Sequence, residues 1–537
     1  MKLSTSVFVP FIDRMTQTTF QSVSRWGKLL CIVCAALGAT LSLNAQRVVK
    51  IPPAESPPPK ARKSPAATRS SGEDTGFIVD MGIIMRKTQE RTPPPPTNLT
   101  VMYKLRYGEV LRYVMPNGET MDFEQWQSFK NDTQKLMTQV NERLKDGNNY
   151  QASVADLASQ YFDPLAIPLL YMTGDYDFVL TDEEVKNLRQ YILDGGTILF
   201  NAARGQDEFS NAVVREMQRV LPNKQFMQIG DDHPILNGSR RIGKVSMYRA
   251  GRIYPQEPRV YTIDIGTRAA AILVPAGMGA GWGDNGMDQL GTHMAPGDAV
   301  SLGVNIVGYA LSNTEYGRFL AQPFDEYEGT TRKGDVFRFV LARYAGSWHL
   351  NPGLETTIPH ALHSMAKLDV DYAPRYVDLD DVNGLKREPL IFMTGHYDFQ
   401  LTEDEVKNLR DYLSRGGLLV AVSGAGFNAF NQAFAREIMR VLPDAQLFPL
   451  PPTHPLFNSS WEEINKVNYT SAAKRNNPSL DRPMFYGIFI ENRLAVLFSP
   501  FDLFSEMNRE SNKYARGVVY EDALKLLLNT VFYALDN

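Results

Sequence analysis

LYMTGDYDFVLTDEEVKNLRQYILDGG, residues 170–196, returns as IFMTGHYDFQLTEDEVKNLRDYLSRGG at residues 391–417. Seventeen of the twenty-seven positions are identical, at a constant offset of 221. Each copy begins in an apolar run, PLLYM or PLIFM, that suits a strand buried in a parallel sheet. A helix then opens with a full set of start signals. Thr181 is placed as N-cap and Glu184 as its capping-box partner, with Leu180 and Val185 where a hydrophobic staple belongs. Thr402, Glu405, Leu401 and Val406 repeat all four. Val185, Leu188 and Ile192, matched by Val406, Leu409 and Leu413, form one apolar helix face. The paired glycines that follow stop the helix and supply positive φ. TILFNAA or LLVAVSG is the next strand. A second helix comes after it, with apolar positions Phe209, Val213, Met217 and Val220, ended by Pro222. Strand, helix, strand, helix predicts an open, doubly wound α/β sheet in each copy.

The match extends well past this stretch. Pro168–Pro234 maps onto Pro389–Pro455 without insertion, RAAAILVP at 268–275 answers RLAVLFSP at 493–500, and DAVSLGVNIVGYAL at 298–311 answers DALKLLLNTVFYAL at 522–535. Two tandem domains are expected, at 98–315 and 335–537, joined by a polar, weakly patterned linker over 316–334. Two copies of this length fit packed globular lobes better than a solenoid.

The chain is 537 residues long with a net charge of −4, which gives the whole protein no nucleic-acid signature. Both cysteines, Cys31 and Cys34, lie in an apolar run from Leu29 to Leu43, preceded by Arg25 and Lys28 and followed by Asn44-Ala45-Gln46. This reads as a secretory signal over 1–45, cleaved after Ala45, with an uncleaved membrane anchor as the alternative. The expected location is therefore the periplasm or cell envelope. Cleavage leaves no cysteine for a disulfide, a nucleophile or a thiolate metal site. Residues 46–97 form a Pro-rich linker, expected to be disordered, with GFIVDMGIIM at 76–85 left open.

In open α/β sheets, ligands bind at the carboxyl ends of the strands. Thr394, Gly395, His396, Tyr397 and Asp398 fall there in the second copy, and Asp175, Tyr176 and Asp177 in the first. His233 and His454 each precede a proline at a third recurring turn. These ten residues are the ligand-binding candidates. His396 as base, Asp398 as its orienter and Ser423 at the next strand's end are the catalytic candidates. Against that, Tyr-Asp-Phe survives in the first copy while the histidine does not. Satisfying backbone groups at the turn is thus the plainer role, and an aspartate at 396 is expected to leave folding intact. The two histidines read as polar latches, and Asn305 and Asn529 as core residues bonding nearby backbone. GMGAGWGDNG at 277–286 has neither dinucleotide nor P-loop spacing and is expected to be a flexible lid or partner loop. No cofactor or metal is implied.

MTGHYDFQLTEDEVKNLRDYLSRGG, followed by FNAFNQAFAREIMRVLP and THPLF, resembles the family called domain of unknown function 4159, and both copies match. The resemblance implies a flavodoxin-like sheet related to the class I glutamine amidotransferase-like folds. In the family pattern the strand after the double glycine ends in a Cys-Cys-Gly turn. Here Ala203-Arg204-Gly205 and Gly424-Ala425-Gly426 stand in that place, so no thiol chemistry carries over. Three functions follow: a non-catalytic envelope protein binding an envelope partner or polymer, a hydrolase active only in the second copy, or a carbohydrate- or peptide-binding module using Trp348, Tyr397 and Phe427 as platforms.

Overall fold

A computed structural model describes residues 97–536, apart from 109, 160, 284–290, 321–333, 335, 352, 459–460 and 508–511. All of these belong to one compact unit. The segment expected to be a signal, residues 76–85 and the expected linker up to residue 96 lie outside the described residues, while Thr97 already belongs to the first strand.

The first domain is built on seven strands: β1 (Thr97–Arg106), β2 (Asn148–Asp156), β3 (Leu169–Gly174), β4 (Thr197–Ala202), β5 (Met227–Gln228), β6 (Tyr261–Ile265) and β7 (Arg268–Val274). Their order is β2-β1-β3-β4-β7-β6-β5. The second domain repeats it with β8 (Phe337–Arg343), β9 (Val370–Asp378), β10 (Leu390–Gly395), β11 (Leu418–Ser423), β12 (Phe448–Pro449), β13 (Tyr486–Ile490) and β14 (Arg493–Ser499), ordered β9-β8-β10-β11-β14-β13-β12. Five strands of each sheet are parallel, and the last two in each order join antiparallel. The parallel part has flavodoxin-like order, with its switch point between β1 and β3, or β8 and β10.

Helices cover both faces. In the first domain α1 (Asp132–Leu144) and α4 (Pro296–Leu320) lie on one face, and α2 (Asp182–Leu193) and α3 (Asp207–Val220) on the other. In the second, α5 (Leu354–Ala366) and α8 (Tyr520–Asp536) oppose α6 (Glu403–Ser414) and α7 (Asn428–Val441). Every residue of β3, β4, β10 and β11 is buried, as expected of strands packed on both sides. Helix α4 runs on to Leu320, past the expected start of the linker.

The recurring motif turns out to be the frame of this fold. Thr181 Oγ1 accepts from Glu184 N at 3.2 Å while Glu184 accepts from Thr181 N at 2.7 Å, and Thr402 and Glu405 repeat both distances. The first glycine of each pair has φ of +109° or +115°. The second is needed for space: a Cβ on Gly196 would stand 2.2 Å from the Tyr191 ring, and one on Gly417 2.3 Å from Tyr412. Buried Glu216 accepts from Leu180 N and pairs with Arg215 and Arg219; Glu437, Leu401, Arg436 and Arg440 do the same. Arg189 and Arg410 bond the last carbonyls of α3 and α7. The duplicated residues thus hold strand, helix and turn together.

Candidate functional site

In the second domain the strand ends bring together His396, Tyr397, Ser423, the Gly424–Gly426 turn and Asp502, all buried. Ala425 sits at φ +51°, a left-handed backbone that a side chain disfavours. Its amide donates to Asp502 Oδ2 at 2.6 Å, and Asp502 also accepts from the Phe504 and Ser505 amides. Asp502 is thereby fixed as a turn anchor.

The partner of His396 comes from the other domain. Its Nδ1 lies 2.8 Å from Asp264 Oδ2, on the antiparallel strand β6. Burial alone would raise the Asp264 carboxyl, but the hydrogen bond and charge of His396, with Tyr397 and His233 nearby, hold it below the usual range. The carboxylate is therefore ionised, and Nδ1–H donates to it. Nε2 is buried and has no hydrogen-bond partner among the described residues. Beside the pair, Tyr397 and Thr262 hydroxyls are 2.5 Å apart, and Tyr397 packs into the first domain's core. Asp232 of the first domain accepts from Arg516 and from Asn428 N at 2.5 and 2.8 Å. Asn512 donates to Thr267 O at 2.8 Å. Domain one's outer edge is seated on domain two's strand ends and closes them.

In the first domain the equivalent position is closed differently. Asp175 accepts from Arg204 N at 2.9 Å, from the Arg204 guanidinium, and from Ser128 Oγ at 3.2 Å. Ser128 belongs to a segment that the second domain lacks. It includes the hairpin Leu111–Val114/Thr120–Phe123 and the turn Gln125–Gln127, and Gln125 Oε1 accepts from Tyr176 N. Beneath lie Lys104, Asp132 and Tyr171. Lys104 Nζ donates to Asp132 Oδ1 at 2.7 Å and to Phe129 O at 2.6 Å. Burial draws both toward neutrality, Lys104 down and Asp132 up, against their mutual attraction.

A match to the family model named Domain of unknown function (DUF4159) spans residues 111–311 and again 338–535. The chain belongs to the DUF4159 family. A search of curated proteins gave no match. Among solved structures it is similar to a ThuA-like protein from Bacteroides uniformis ATCC 8492, at 14% identity and a TM-score of 0.22, over 38% of this chain and 94% of that one.

Several expectations for this DUF4159 chain need correction. Asp398 does not orient His396; it pairs with Arg436 at 2.8 Å, as Asp177 does with Arg215. Ser423 Oγ donates to Phe427 O at 3.3 Å and is fully buried. An aspartate at 396 is not a neutral exchange, because it would place two buried carboxylates against each other where the first domain has an arginine. The glycine run at 277–286 is not a lid over its first part: Gly277–Trp282 is buried, and Trp282 Nε1 donates to Ala299 O at 2.8 Å. Tyr397 and Phe427 are buried, and Trp348 stacks on His349 instead, so the three platforms form no shared groove. A cavity of about 370 Å³ lies at the amino ends of β8 and β10, away from the strand-end candidates.

The histidine and asparagine turns are built as follows. His233 and His454 are latches: each Nδ1 accepts an amide two residues on, from Ile235 or Leu456, at 3.2 Å. Burial pushes His233 down to about 4, so it stays neutral as an acceptor. Asn305 bonds Ile235 O and Arg240 O, and Asn529 bonds Leu456 O and Glu462 O. Thr394 and Gly395 are buried in β10, with Thr394 O accepting from the Tyr344 hydroxyl at 2.9 Å. Among the described residues, no acidic, histidine or cysteine cluster suits a metal ion. No described helix is long and apolar enough to cross a membrane.

Proposed function

We propose that this DUF4159 chain is an exported, non-catalytic protein of the cell envelope. Its two domains, degenerate relatives of the amidotransferase-like folds, bind a partner or ligand. The observation that carries this reading is the closure of the His396 site. His396, the base candidate at the end of β10, is 1% exposed, and the first domain's Asp264 and Thr262 stand over it and its neighbour. A substrate has no room beside it while the domains are joined. Surface recognition is the remaining use for such a pair of lobes, and the export signal and linker suit an envelope polymer or protein.

One observation favours hydrolysis as a second reading. Asp264 orients His396 through Nδ1 and leaves Nε2 without a partner among the described residues, which is how a carboxylate prepares an imidazole base. Screening the full chain against esters, amides and glycosides separates the two. The expected result is no turnover, with envelope-partner capture unchanged in His396→Asn. Turnover that His396→Asn lowers by about 10²–10⁴-fold, with the fold intact by circular dichroism, overturns the non-catalytic reading.

A further inference from the structure

The contact between the two domains uses one kind of surface on each: an outer edge on the first, strand ends on the second. Each domain has both surfaces, so one of each is left unused. The unused edge belongs to the second domain. It keeps the shape of its counterpart: the His454 turn is latched like the His233 turn, and Tyr533 lies beside it as Tyr309 does beside His233. Its polar anchors are gone. Phe489 stands where Asp264 stands in the first domain, Gly487 where Thr262 stands, and Thr453 where Asp232 stands. Phe489 is 41% exposed and Phe448, on the strand beside it, 56%.

The unused strand ends belong to the first domain, and their anchors have changed in step. Asp175 replaces His396 and is neutralised internally by Arg204. Thr292 replaces Arg516: each donates its amide to the turn after β4 or β11, at Arg204 O or Ala425 O. Beside the hairpin's exposed Arg112–Asp122 pair, apolar side chains stand outside. Tyr176 is 50% exposed, whereas its counterpart Tyr397 is 5% exposed, and the neighbouring hairpin shows Val114 and Met121. The ion pairs that hold the internal contact are thus missing from both free faces together, and exposed aromatic and aliphatic side chains stand in their place.

We propose that a second copy of this chain docks there head to tail, the Phe448–Phe489 edge of one copy meeting the Tyr176 face of the next. It joins the same two kinds of surface as the internal domain contact, with the inserted hairpin forming part of the strand-end side, as a heterologous interface that builds a ring or an open filament. It does not depend on whether the protein is catalytic.

The test is sedimentation of the full chain. Wild type should form dimers and larger species as concentration rises toward about 100 μM. Phe489→Asp and Tyr176→Asp should each weaken association about tenfold or more, by placing a charge in the contact. Both positions are exposed, and circular dichroism checks that the variants fold; Phe448→Asp is the alternative edge variant. Mixing Phe489→Asp with Tyr176→Asp should restore a 1:1 dimer that grows no further, since each variant retains one good face. A monomeric wild type overturns the proposal. So does association that both variants leave unchanged, or a mixture of folded variants that forms no dimer.

Discussion

The two domains share one strand order, the same capping boxes and the same buried Glu–Arg network, yet they treat their strand ends in opposite ways. The second closes its ends with another domain, through Asp264–His396 and Asp232–Arg516. The first closes its own with an inserted hairpin and an internal Asp175–Arg204 pair. Beneath the ends the contrast runs the other way. The first domain buries Lys104, Asp132 and Tyr171, while the second has Leu341, Leu354 and Phe392 at the same places in its strands and helix. Duplication has kept the frame and released the places where an open sheet of this kind would hold a ligand.

The buried triad should give the largest effect. Lys104→Leu leaves Asp132 without its cation in a site that water does not reach, and should cost about 3–5 kcal/mol in urea unfolding. Replacing Lys104, Asp132 and Tyr171 together by Leu, Leu and Phe copies the second domain. That variant should recover wild-type stability or exceed it by about 1–4 kcal/mol. A triple variant as weak as the single one would mean that the surroundings of the two sites differ more than their matching backbones suggest.

Breaking the domain contact comes next. Asp264→Ala should destabilise by about 3 kcal/mol, because it strands the buried His396 Nδ1. Phe489→Ala at the matching position of the second domain should stay within about 1 kcal/mol, its side chain being partly exposed. Equal losses at the two positions would remove the distinction between a used and an unused edge.

Acidity separates the domains through Glu506, which stands where the first domain has Gly281. Burial, with Asp502 nearby, raises the Glu506 carboxyl to about 7. Its unfolded value is about 4.3. The folded state therefore binds this proton more tightly, and its stabilising contribution is complete below the unfolded value. It is lost as pH climbs through the window from about 4.3 to about 7. Glu506→Gln should flatten stability across that window, and Gly281, which titrates nothing, leaves no such term at the matching place in the first domain. An unchanged pH profile in the variant would place the titration elsewhere.

How much of this the sequence showed follows from the range of the interactions. The helices were legible because their causes are local: Thr181 and Glu184 are three residues apart, and the apolar face recurs with the helix period. The sheet was legible because β3 and β10 each open with an unbroken apolar run. The partner of His396 was not, because Asp264 is 132 residues away on a strand whose own periodicity announces nothing. Reasoning from spacing reached for Asp398, two residues along, which the fold turns outward to Arg436. A signal did exist, in the mismatches between the copies. His396 faces Asp175 in the alignment and Asp264 faces Phe489, so both partners of the contact depart from their counterparts together. The hairpin over Asp175 left no such trace, since an insertion has nothing to be compared with.

The smallest expected effect tests whether the shared frame really is equivalent. Thr402→Ala removes the oxygen that accepts the Glu405 amide, and should cost about 1 kcal/mol. Thr181→Ala removes the same bond, of the same length, in the first domain. Glu184 and Glu405 hold the N-cap amides at equal distances, so the two losses should agree within about 0.5 kcal/mol. One difference remains in the surroundings: Glu184 also accepts from Gly108 N at 3.3 Å, just before the inserted hairpin. If Thr181→Ala costs clearly more than Thr402→Ala, that bond ties the cap to the insertion, and the hairpin is part of the first domain's frame as well as a cover for its strand ends. Equal losses would leave the hairpin energetically separate from the duplicated core, as a later addition to a frame already complete.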